Sequence, residues 1–282
     1  MHKKKIAYLW SLRNAAADKA GQNIAYKGEQ RYMKSVLEHL VEQLERTSLG
    51  ELYSLDTVIY DDDAESPRDQ QALAEYGLRY RDGQRWFYPP QLQVQGRLVN
   101  DLLTPVASTY RRLPLDSSER PAGKHDFEQR LLGTLQALEI ELVVVDGLLV
   151  ILDELVRPGS PYFRRMVNIH PGITRLESAY ERRGAHATWD ALYGARGRKV
   201  INWKTGQQID APVVDKTGAS FHYMDNGIDS GEVIHDVLQT HIDPQDSILE
   251  LRWNNFNRSL FPALTEGLSR LATIGQRAST TA

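Results

Sequence analysis

The first 60 residues alternate short apolar runs with a helical stripe of apolar positions. Residues 5–10 form an apolar run that predicts a buried strand, and the polar run 11–22 predicts a long loop. Apolar residues recur three and four apart between positions 28 and 46, which predicts an amphipathic helix. Residues 56–60 predict a second strand. This strand, helix, strand order is typical of α/β proteins.

The pattern is weaker in the next 60 residues. Turn-forming residues at 81–84 lie between aromatic and aliphatic flanks, which predicts a hairpin over residues 78–88. A short helix is expected at 98–103, and the prolines and serines of residues 113–123 predict a loop.

Clear periodicity returns in the second half. A helical stripe covers 127–138, an apolar β-branched strand follows at 141–145, and another apolar run covers 147–155. The remaining expected elements are a strand at 166–170, a helix near 187–193, a hairpin around 204–206, strands at 219–224 and 233–240, and a helix from Asp246 to about 271 that Asp246 caps and Pro262 bends. Without repeats or low-complexity linkers, we expect one α/β domain over residues 1–275 and a frayed tail over 276–282.

Composition narrows the classes of function. A net charge of −3 with interspersed signs gives no broad basic face, so a nucleic-acid partner is not expected. The absence of cysteine excludes disulfides and thiolate catalysis and is compatible with a reducing cytosol. No segment approaches the ~20 apolar residues of a membrane span. We therefore expect a cytoplasmic protein without a membrane partner.

Asn168 and His170 are the first candidate site residues. In a strand, the period of two places them on one face, and Pro171 with Gly172 ends the strand just beyond them. Ligands of open parallel sheets bind at that carboxyl end. On this pair alone a structural role is the more common outcome, because Asn and His also close loops.

A second stretch, residues 217–229, supplies further candidates. Ser220, His222 and Met224 alternate onto one face of the predicted strand. Asp229 follows on a loop with glycines on either side, a position suited to a site residue, although from this stretch alone a carboxylate that only closes an Asx turn is the favoured interpretation.

Together, Asn-Ile-His-Pro-Gly at 168–172, Thr-Gly-Ala-Ser-x-His at 217–222 and Asp-Asn-Gly-Ile-Asp-Ser-Gly at 225–231 resemble the signature of folate-dependent formyltransferases, the family of the glycinamide ribonucleotide and methionyl-tRNA formyltransferases. Residues 143–152 and 187–192 also resemble the family's elements in the family's order. The resemblance implies an α/β formyltransferase fold, a mostly parallel Rossmann-like sheet flanked by helices, with loop and hairpin insertions.

The resemblance also implies an enzyme with 10-formyltetrahydrofolate as formyl donor and no metal. Asn168, His170 and Asp229 match the family's catalytic residues. Asn168 and a protonated His170 are suited to donate hydrogen bonds to the oxyanion of a tetrahedral intermediate. Asp229 is suited to favour the imidazolium and to carry the proton from the attacking to the leaving nitrogen.

Two segments match the places where family members hold the pterin through backbone groups: Leu149, Val150, Ile151 and Leu152, and Met224, Asp225, Asn226 and Gly227. His222 and Ser220 are expected to support the site from behind the catalytic residues. His222 is expected to orient Asp229 or its loop, and a packed core histidine is the equal alternative.

Several departures from the family pattern bear on the acceptor. The glycine-rich phosphate loop expected after the first strand is absent, since Trp10 is followed by Ser-Leu-Arg-Asn, and Glu232 stands where proline is usual. An insertion at 196–210 lengthens the stretch between the signature histidines, and its role is open. Too few residues follow the match for the extra domain of methionyl-tRNA formyltransferases.

In these departures and in the 17 residues from Lys5 to Gly21, the chain resembles the hydroxyornithine transformylases of pyoverdine siderophore synthesis. That resemblance implies δ-N-hydroxyornithine as acceptor. The alternatives are another small amine such as an amino sugar nucleotide, hydrolysis of 10-formyltetrahydrofolate, and a non-catalytic folate or amino-acid binding protein. The sequence identifies neither the residues that bind the ornithine end nor the oligomeric state.

Overall fold

The computed structural model describes residues 2–76 and 87–280. The chain forms two compact units, the first from Met1–Asn23 and Tyr32–Val167, the second from Ile24–Arg31 and Asn168–Ala282. The hairpin expected over 78–88 falls mainly outside the described residues.

The strands of the described residues are β1 (Lys4–Trp10), β2 (Gln22–Tyr26), β3 (Glu29–Met33), β4 (Tyr53–Tyr60), β5 (Gln93–Val94), β6 (Arg97–Leu98), β7 (Leu103–Pro105), β8 (Leu142–Asp146), β9 (Met166–His170), β10 (Arg198–Asn202), β11 (Gln207–Asp210), β12 (Lys216–Tyr223) and β13 (Val233–His241). The α-helices are α1 (Leu12–Ala17), α2 (Val36–Arg46), α3 (Leu49–Leu52), α4 (Pro67–Glu75), α5 (Arg120–Ala137), α6 (Asp153–Val156), α7 (Ala187–Ala195), α8 (Ile248–Asn255) and α9 (Phe261–Thr280).

A seven-stranded sheet has the order β13-β12-β9-β8-β1-β4-β7. β1 pairs in parallel with both β4 and β8, β4 pairs in parallel with β7, and β12 pairs antiparallel with β13. Helices flank the sheet, and the predicted α/β class with a mostly parallel sheet is confirmed. Separate two-stranded ribbons join β2 to β3, β5 to β6 and β10 to β11.

Buried apolar strands and a capped helix build the core of the first unit. Ile6, Ala7 and Leu9 of β1 are fully buried, which fits a central strand covered on both faces. The apolar stripe of α2 is buried, and Ser35 caps the helix by accepting a hydrogen bond from the backbone N–H of Glu38.

The loop expected over residues 11–22 is wrong, because α1 occupies much of it. Its first N–H groups find an acceptor far away in the chain: the Asp62 carboxylate accepts from the N–H of Leu12 at 2.5 Å and of Arg13 at 3.3 Å. A cap supplied from 50 residues away leaves no local signal in the sequence.

The helix expected over residues 28–46 begins later, at Val36, because residues 22–33 form the β2–β3 hairpin. Lys27 and Gly28 make the turn with φ of 46° and 85°, the consecutive positive values of a two-residue hairpin turn. The loop expected over residues 113–123 is shorter in the structure. α5 begins at Arg120 and has proline in its first turn, where a missing N–H is not needed.

The final helix starts with a capping box rather than with Asp246. Ser247 Oγ accepts from the Glu250 N–H, and the Glu250 carboxylate accepts from the Ser247 N–H. Asp246 instead contacts Lys27 Nζ at 3.0 Å. The predicted interruption is a π-helical turn over Phe256–Leu260, which ends two residues before Pro262. Pro262 has no N–H to continue an α-helical ladder.

The remaining predicted elements within the described residues are present, and most of them have shifted ends. A 3-10 turn covers Val99–Leu102, and β9 has the predicted bounds Met166–His170. The β10–β11 hairpin occupies the 196–210 insertion, and all of its residues but Val200 are exposed or half-buried.

Candidate active site

The strand β9 carries Asn168 and His170, in the second unit, to its carboxyl end. Ile169 between them is buried on the opposite face, and His170 is only 6% exposed. Just beyond the strand, the Pro171 carbonyl accepts a hydrogen bond from Asn255 Nδ2 at 3.3 Å. The predicted polar pair is therefore held at the predicted strand end.

His222 on β12 lies next to this pair with a defined tautomer. Its Nδ1 lies 2.8 Å from the carbonyl oxygen of Tyr223, and since a carbonyl only accepts, Nδ1 carries the hydrogen. In the neutral ring, Nε2 is then an acceptor, and Asn168 Nδ2 lies 3.3 Å from it. His222 thus orients the Asn168 amide as well as facing Asp229 Oδ1 at 3.6 Å.

Asp229 is placed by a turn that few residue types adopt. Its φ is 48°, in the left-handed region that Asp and Asn tolerate better than most residues. Its Oδ1 accepts from Asn168 Nδ2 at 3.1 Å, and its Oδ2 accepts from the backbone N–H of Gly184 at 2.8 Å. His170 Nδ1 lies 3.3 Å from the same Oδ2. Asp229 therefore contacts both of the other residues that are expected to be catalytic.

His170 is also fixed from its other side. Its Nε2 lies 3.0 Å from the carbonyl oxygen of Arg182, so Nε2 carries the hydrogen in the neutral ring. The Nδ1 lone pair then faces the Asp229 carboxylate. A proton taken up at Nδ1 converts this contact into a charge-assisted hydrogen bond.

The electrostatics of the pair follow from burial and from these contacts. Burial lowers the pKa of His170 below its ordinary value, while the charge of Asp229 works in the opposite direction. Burial by itself raises the pKa of Asp229, but the contacts with His222, His170 and the Gly184 N–H outweigh it and hold this pKa below its ordinary value. Asp229 is therefore ionised at neutral pH, and His170 is the group of the pair that accepts a proton.

Ser220 has a structural position in the site. Its Oγ accepts a hydrogen bond from the backbone N–H of Thr174 at 3.0 Å, which ties β12 to the segment after Gly172. Through this bond Ser220 holds the backbone that follows β9.

The two segments expected to hold the pterin lie in different units. Residues 149–152 follow β8 in the first unit, with Leu149 and Ile151 exposed and Leu152 buried. Residues 224–227 follow β12 in the second unit, where the Asp225 carboxylate accepts from the Gly227 N–H at 3.1 Å and from Ser230 Oγ at 2.7 Å. The Asp225 side chain is thus occupied with its own turn.

Two contributors to the site were missed. The Arg182 carbonyl holds His170, and the Gly184 N–H holds Asp229. Both are backbone groups: every residue offers the carbonyl, and every residue but proline offers the N–H, so residue type gives almost no signal for them. The local hint in the sequence is the glycine at position 184, because its φ of 78° is a value that favours glycine.

Within residues 2–76 and 87–280, no group of three or more His, Cys, Asp or Glu side chains is arranged to hold a metal ion. No helix in that part of the chain is both long and apolar enough to cross a bilayer.

Comparison with solved structures shows the family. PvdF of pyoverdin biosynthesis, described as an N10-formyltetrahydrofolate-dependent formyltransferase, is 64% identical, with a TM-score of 0.89 over 96% of this chain and 99% of that chain. Glycinamide ribonucleotide transformylase 1 from Symbiobacterium toebii is 16% identical (TM-score 0.54, 96% of this chain and 89% of that chain), and phosphoribosylglycinamide formyltransferase from Brucella melitensis is 15% identical (TM-score 0.53, 96% of each chain). These last two share the fold alone. No protein-family model and no curated protein matches the chain. At 64% identity over nearly its whole length to such an enzyme, the chain belongs to the N10-formyltetrahydrofolate-dependent formyltransferases.

Proposed function

We propose that this formyltransferase moves the formyl group of N10-formyltetrahydrofolate to the side-chain hydroxylamine nitrogen of δ-N-hydroxyornithine in pyoverdine synthesis. The observation that carries the proposal is the 64% identity, over 96% of the chain, to the formyltransferase of pyoverdin biosynthesis. The contacts among Asn168, His170 and Asp229 support it, because they supply the groups that acyl transfer between nitrogens needs.

The reaction requires a proton to leave one nitrogen and reach another. The acceptor nitrogen attacks the formyl carbon, and its N–H proton must depart as the tetrahedral intermediate forms. The leaving N10 must gain a proton before its bond to carbon breaks. The ionised Asp229 and the Nδ1 lone pair of His170, 3.3 Å apart, are suited to take up that proton and to return it, directly or through a water molecule.

The oxyanion of the intermediate needs donors. Both amide hydrogens of Asn168 point at protein acceptors, Asp229 Oδ1 at 3.1 Å and His222 Nε2 at 3.3 Å. We propose that Asn168 exchanges one of these partners for the oxyanion as the intermediate forms. His170 then acts through the positive charge that it gains in the same step, while its Nε2–H stays on Arg182.

A hydroxylamine acceptor suits this arrangement. A hydroxylamine nitrogen is less basic than an alkylamine, so its neutral, nucleophilic form is present near neutral pH without help. The carboxylate is therefore needed for proton transfer during the reaction rather than for deprotonating the bound acceptor.

The donor is proposed to be held by the backbone groups of residues 149–152 and 224–227, as the resemblance of these segments implies. Side-chain truncation at exposed positions such as Leu149 should then change donor affinity little, whereas proline at Asn226, which removes one N–H, should weaken it. Equilibrium binding of a non-reactive folate analogue to the two variants measures this difference.

A donor-turnover assay with four acceptors tests the function: δ-N-hydroxyornithine, ornithine, ε-N-hydroxylysine and glycinamide ribonucleotide. We expect the first to react at least about tenfold faster than the others, since about tenfold is the lower end of the discrimination that a binding pocket makes for a single methylene group. Equal rates with all four contradict the proposed acceptor. Formate release at full rate without any acceptor selects a hydrolase, and donor binding without turnover selects a binding protein.

We also propose that residues 1–275 act as one cytoplasmic formyltransferase domain and that the residues after it are not needed for activity; of these, 276–280 continue α9 and 281–282 lie outside the described residues. The support is that the formyltransferase of pyoverdin biosynthesis matches 96% of this chain with 99% of its own. A chain shortened to residue 275 should keep its turnover and its folate affinity. Loss of either assigns the last residues a role in the domain.

A further inference from the structure

We propose that the ion pair between Arg182 and Asp190 is a positioning device for catalysis, which holds residues 182–184 so that their backbone fixes both His170 and Asp229. Residues 182–184 are called the clamp below. The inference rests on the proposed function, since it takes His170 and Asp229 as the groups that move the proton.

The clamp accepts a hydrogen bond from one of the two catalytic side chains and donates a hydrogen bond to the other. The Arg182 carbonyl accepts from His170 Nε2 at 3.0 Å, and the Gly184 N–H donates to Asp229 Oδ2 at 2.8 Å. The first contact keeps the ring hydrogen on Nε2, and the second orients the oxygen that faces Nδ1. A single short segment thus sets both the tautomer of the base and the direction of its carboxylate partner.

Side-chain contacts anchor the clamp on one side to α7. Arg182 Nε lies 2.9 Å from Asp190 Oδ2, an ion pair without a linear hydrogen bond, and the two side chains are 17% and 27% exposed. A Cβ added at Gly194 of the same helix would lie 3.1 Å from Arg182 Nη2, so the guanidinium packs closely against the helix. The charge pair is therefore partly shielded from water, where it is less screened than an exposed pair.

Backbone contacts anchor the other side and show what the ion pair adds. The Arg182 N–H donates to the Ile173 carbonyl at 2.7 Å, and Arg183 Nε donates to the Thr174 carbonyl at 3.1 Å. These contacts keep the clamp near the site when the ion pair is lost. What the ion pair adds is the orientation of the Arg182 peptide, whose carbonyl must point at the His170 ring.

The charged groups around His170 define a measurable consequence. Burial lowers the pKa of His170, Asp229 and the Arg182 carbonyl raise it, and His222 and Arg183 lower it. If the Arg182 carbonyl turns away, His170 loses a hydrogen bond that raises its pKa, so the pKa of His170 falls further. The same movement also frees the neutral ring to place its hydrogen on Nδ1 and donate to Asp229, which blocks the lone pair that accepts the proton.

The test compares Asp190→Asn with Asp236→Asn in the full-length enzyme. The control removes a comparable ion pair, Arg175 Nε to Asp236 Oδ2 at 2.6 Å, which involves no residue of the clamp. For Asp190→Asn we expect kcat to fall about tenfold, since small misplacements of catalytic groups cost one to two orders of magnitude. The KM for the donor should stay within about twofold, and the acid limb of the kcat profile should move to lower pH. The control should show none of these changes.

A second measurement does not depend on turnover. Nitrogen-15 NMR of the His170 ring should show a protonated Nε2 and an unprotonated Nδ1 in the unmodified enzyme and in Asp236→Asn, and a shift toward the Nδ1–H tautomer in Asp190→Asn. Identical ring signals and identical kinetics in the two variants overturn the inference. If no acceptor is turned over, the proposed function fails, while the ring signals still decide the role of the clamp. If Asp190→Asn does not fold, Arg182→Lys, which keeps the charge but loses the Nε contact, should give the same direction of change.

Discussion

Asparagine at position 229 separates the charge of this carboxylate from its shape. The residue has a φ of 48°, which asparagine tolerates as well as aspartate, so the backbone of the loop should not change. The carboxylate accepts from Gly184 N–H at 2.8 Å and from Asn168 Nδ2 at 3.1 Å, with His170 Nδ1 at 3.3 Å. An amide accepts at only one of its two ends, so its NH₂ must face one of these groups.

The size of the effect follows from what is lost. General acid–base catalysis by a positioned side chain contributes about 10²–10⁴-fold, so Asp229→Asn should lower kcat about 10³-fold, equal to about 4 kcal/mol of transition-state stabilisation. The amide also leaves one buried polar group without its partner, which should cost about 1–3 kcal/mol of folding free energy. Donor affinity should change by less than about threefold, because the proton moves only in the transition state.

Steady-state kinetics with N10-formyltetrahydrofolate and δ-N-hydroxyornithine measure the loss in kcat, and equilibrium binding of a non-reactive folate analogue measures donor affinity separately. Asp236→Asn, which removes a carboxylate elsewhere in the same unit, is the matched control and should keep full turnover. The proton-transfer role of Asp229 is wrong if Asp229→Asn abolishes donor binding while bound donor still reacts at the normal rate. An unchanged kcat refutes it as well.

Three further predictions test the surroundings. Gly184→Ala should lower kcat about tenfold, because φ of 78° strains alanine by about 1–2 kcal/mol and displaces the N–H on Asp229, whereas Gly206→Ala, at φ of 71° in an open turn, should cost the same stability and no activity. Burial raises the pKa of the Asp146 carboxyl from 3.8 to about 7. Between these pH values the folded protein binds more protons than the unfolded chain, so the free energy of unfolding falls as the pH rises, by up to about 4 kcal/mol. Chemical denaturation should therefore show that Asp146→Asn is more stable than the unmodified enzyme at pH about 8 but not at pH about 4. Ser247→Ala should cost about 1 kcal/mol in the same assay, since it removes half of a capping box, and should leave kcat unchanged.

Elements with strong local patterns were predicted well, and elements set by distant contacts were not. β9 has the bounds expected from its apolar run and from the proline that follows it. α1 was missed because its N–H groups are capped by Asp62 from another strand end, and the β2–β3 hairpin because its short strands are mostly exposed and show no apolar alternation. The periodicity of apolar positions indicates which face of an element is buried, so an element with few buried side chains shows little periodicity in the sequence.

The same distinction applies to the site. The side chains proposed to be catalytic, Asn168, His170 and Asp229, could be picked from the sequence, and in the structure Asp229 contacts both of the others. The groups that fix their orientation, the Arg182 carbonyl and the Gly184 N–H, belong to the backbone and could not. The reading of His222 as either a packed or an orienting histidine also needed coordinates, because both readings give a buried ring. Its contact with Asn168 favours the orienting one.

The absence of a glycine-rich phosphate loop after β1 has a physical counterpart in the first unit. The first N–H groups of α1, which such a loop would turn toward a phosphate, already donate to the Asp62 carboxylate, and burial together with the neighbouring Asp61 raises the pKa of that carboxyl to about 7. The cation Arg13 on α1 contacts Asp61, Asp62 and Asp69. Both the donors and the positive charge that a phosphate needs are therefore occupied by the protein's own carboxylates. This arrangement favours an acceptor without a phosphate, so glycinamide ribonucleotide should be the poorest of the four acceptors, and a phosphate-bearing acceptor that reacts well would show that Asp62 gives way to it.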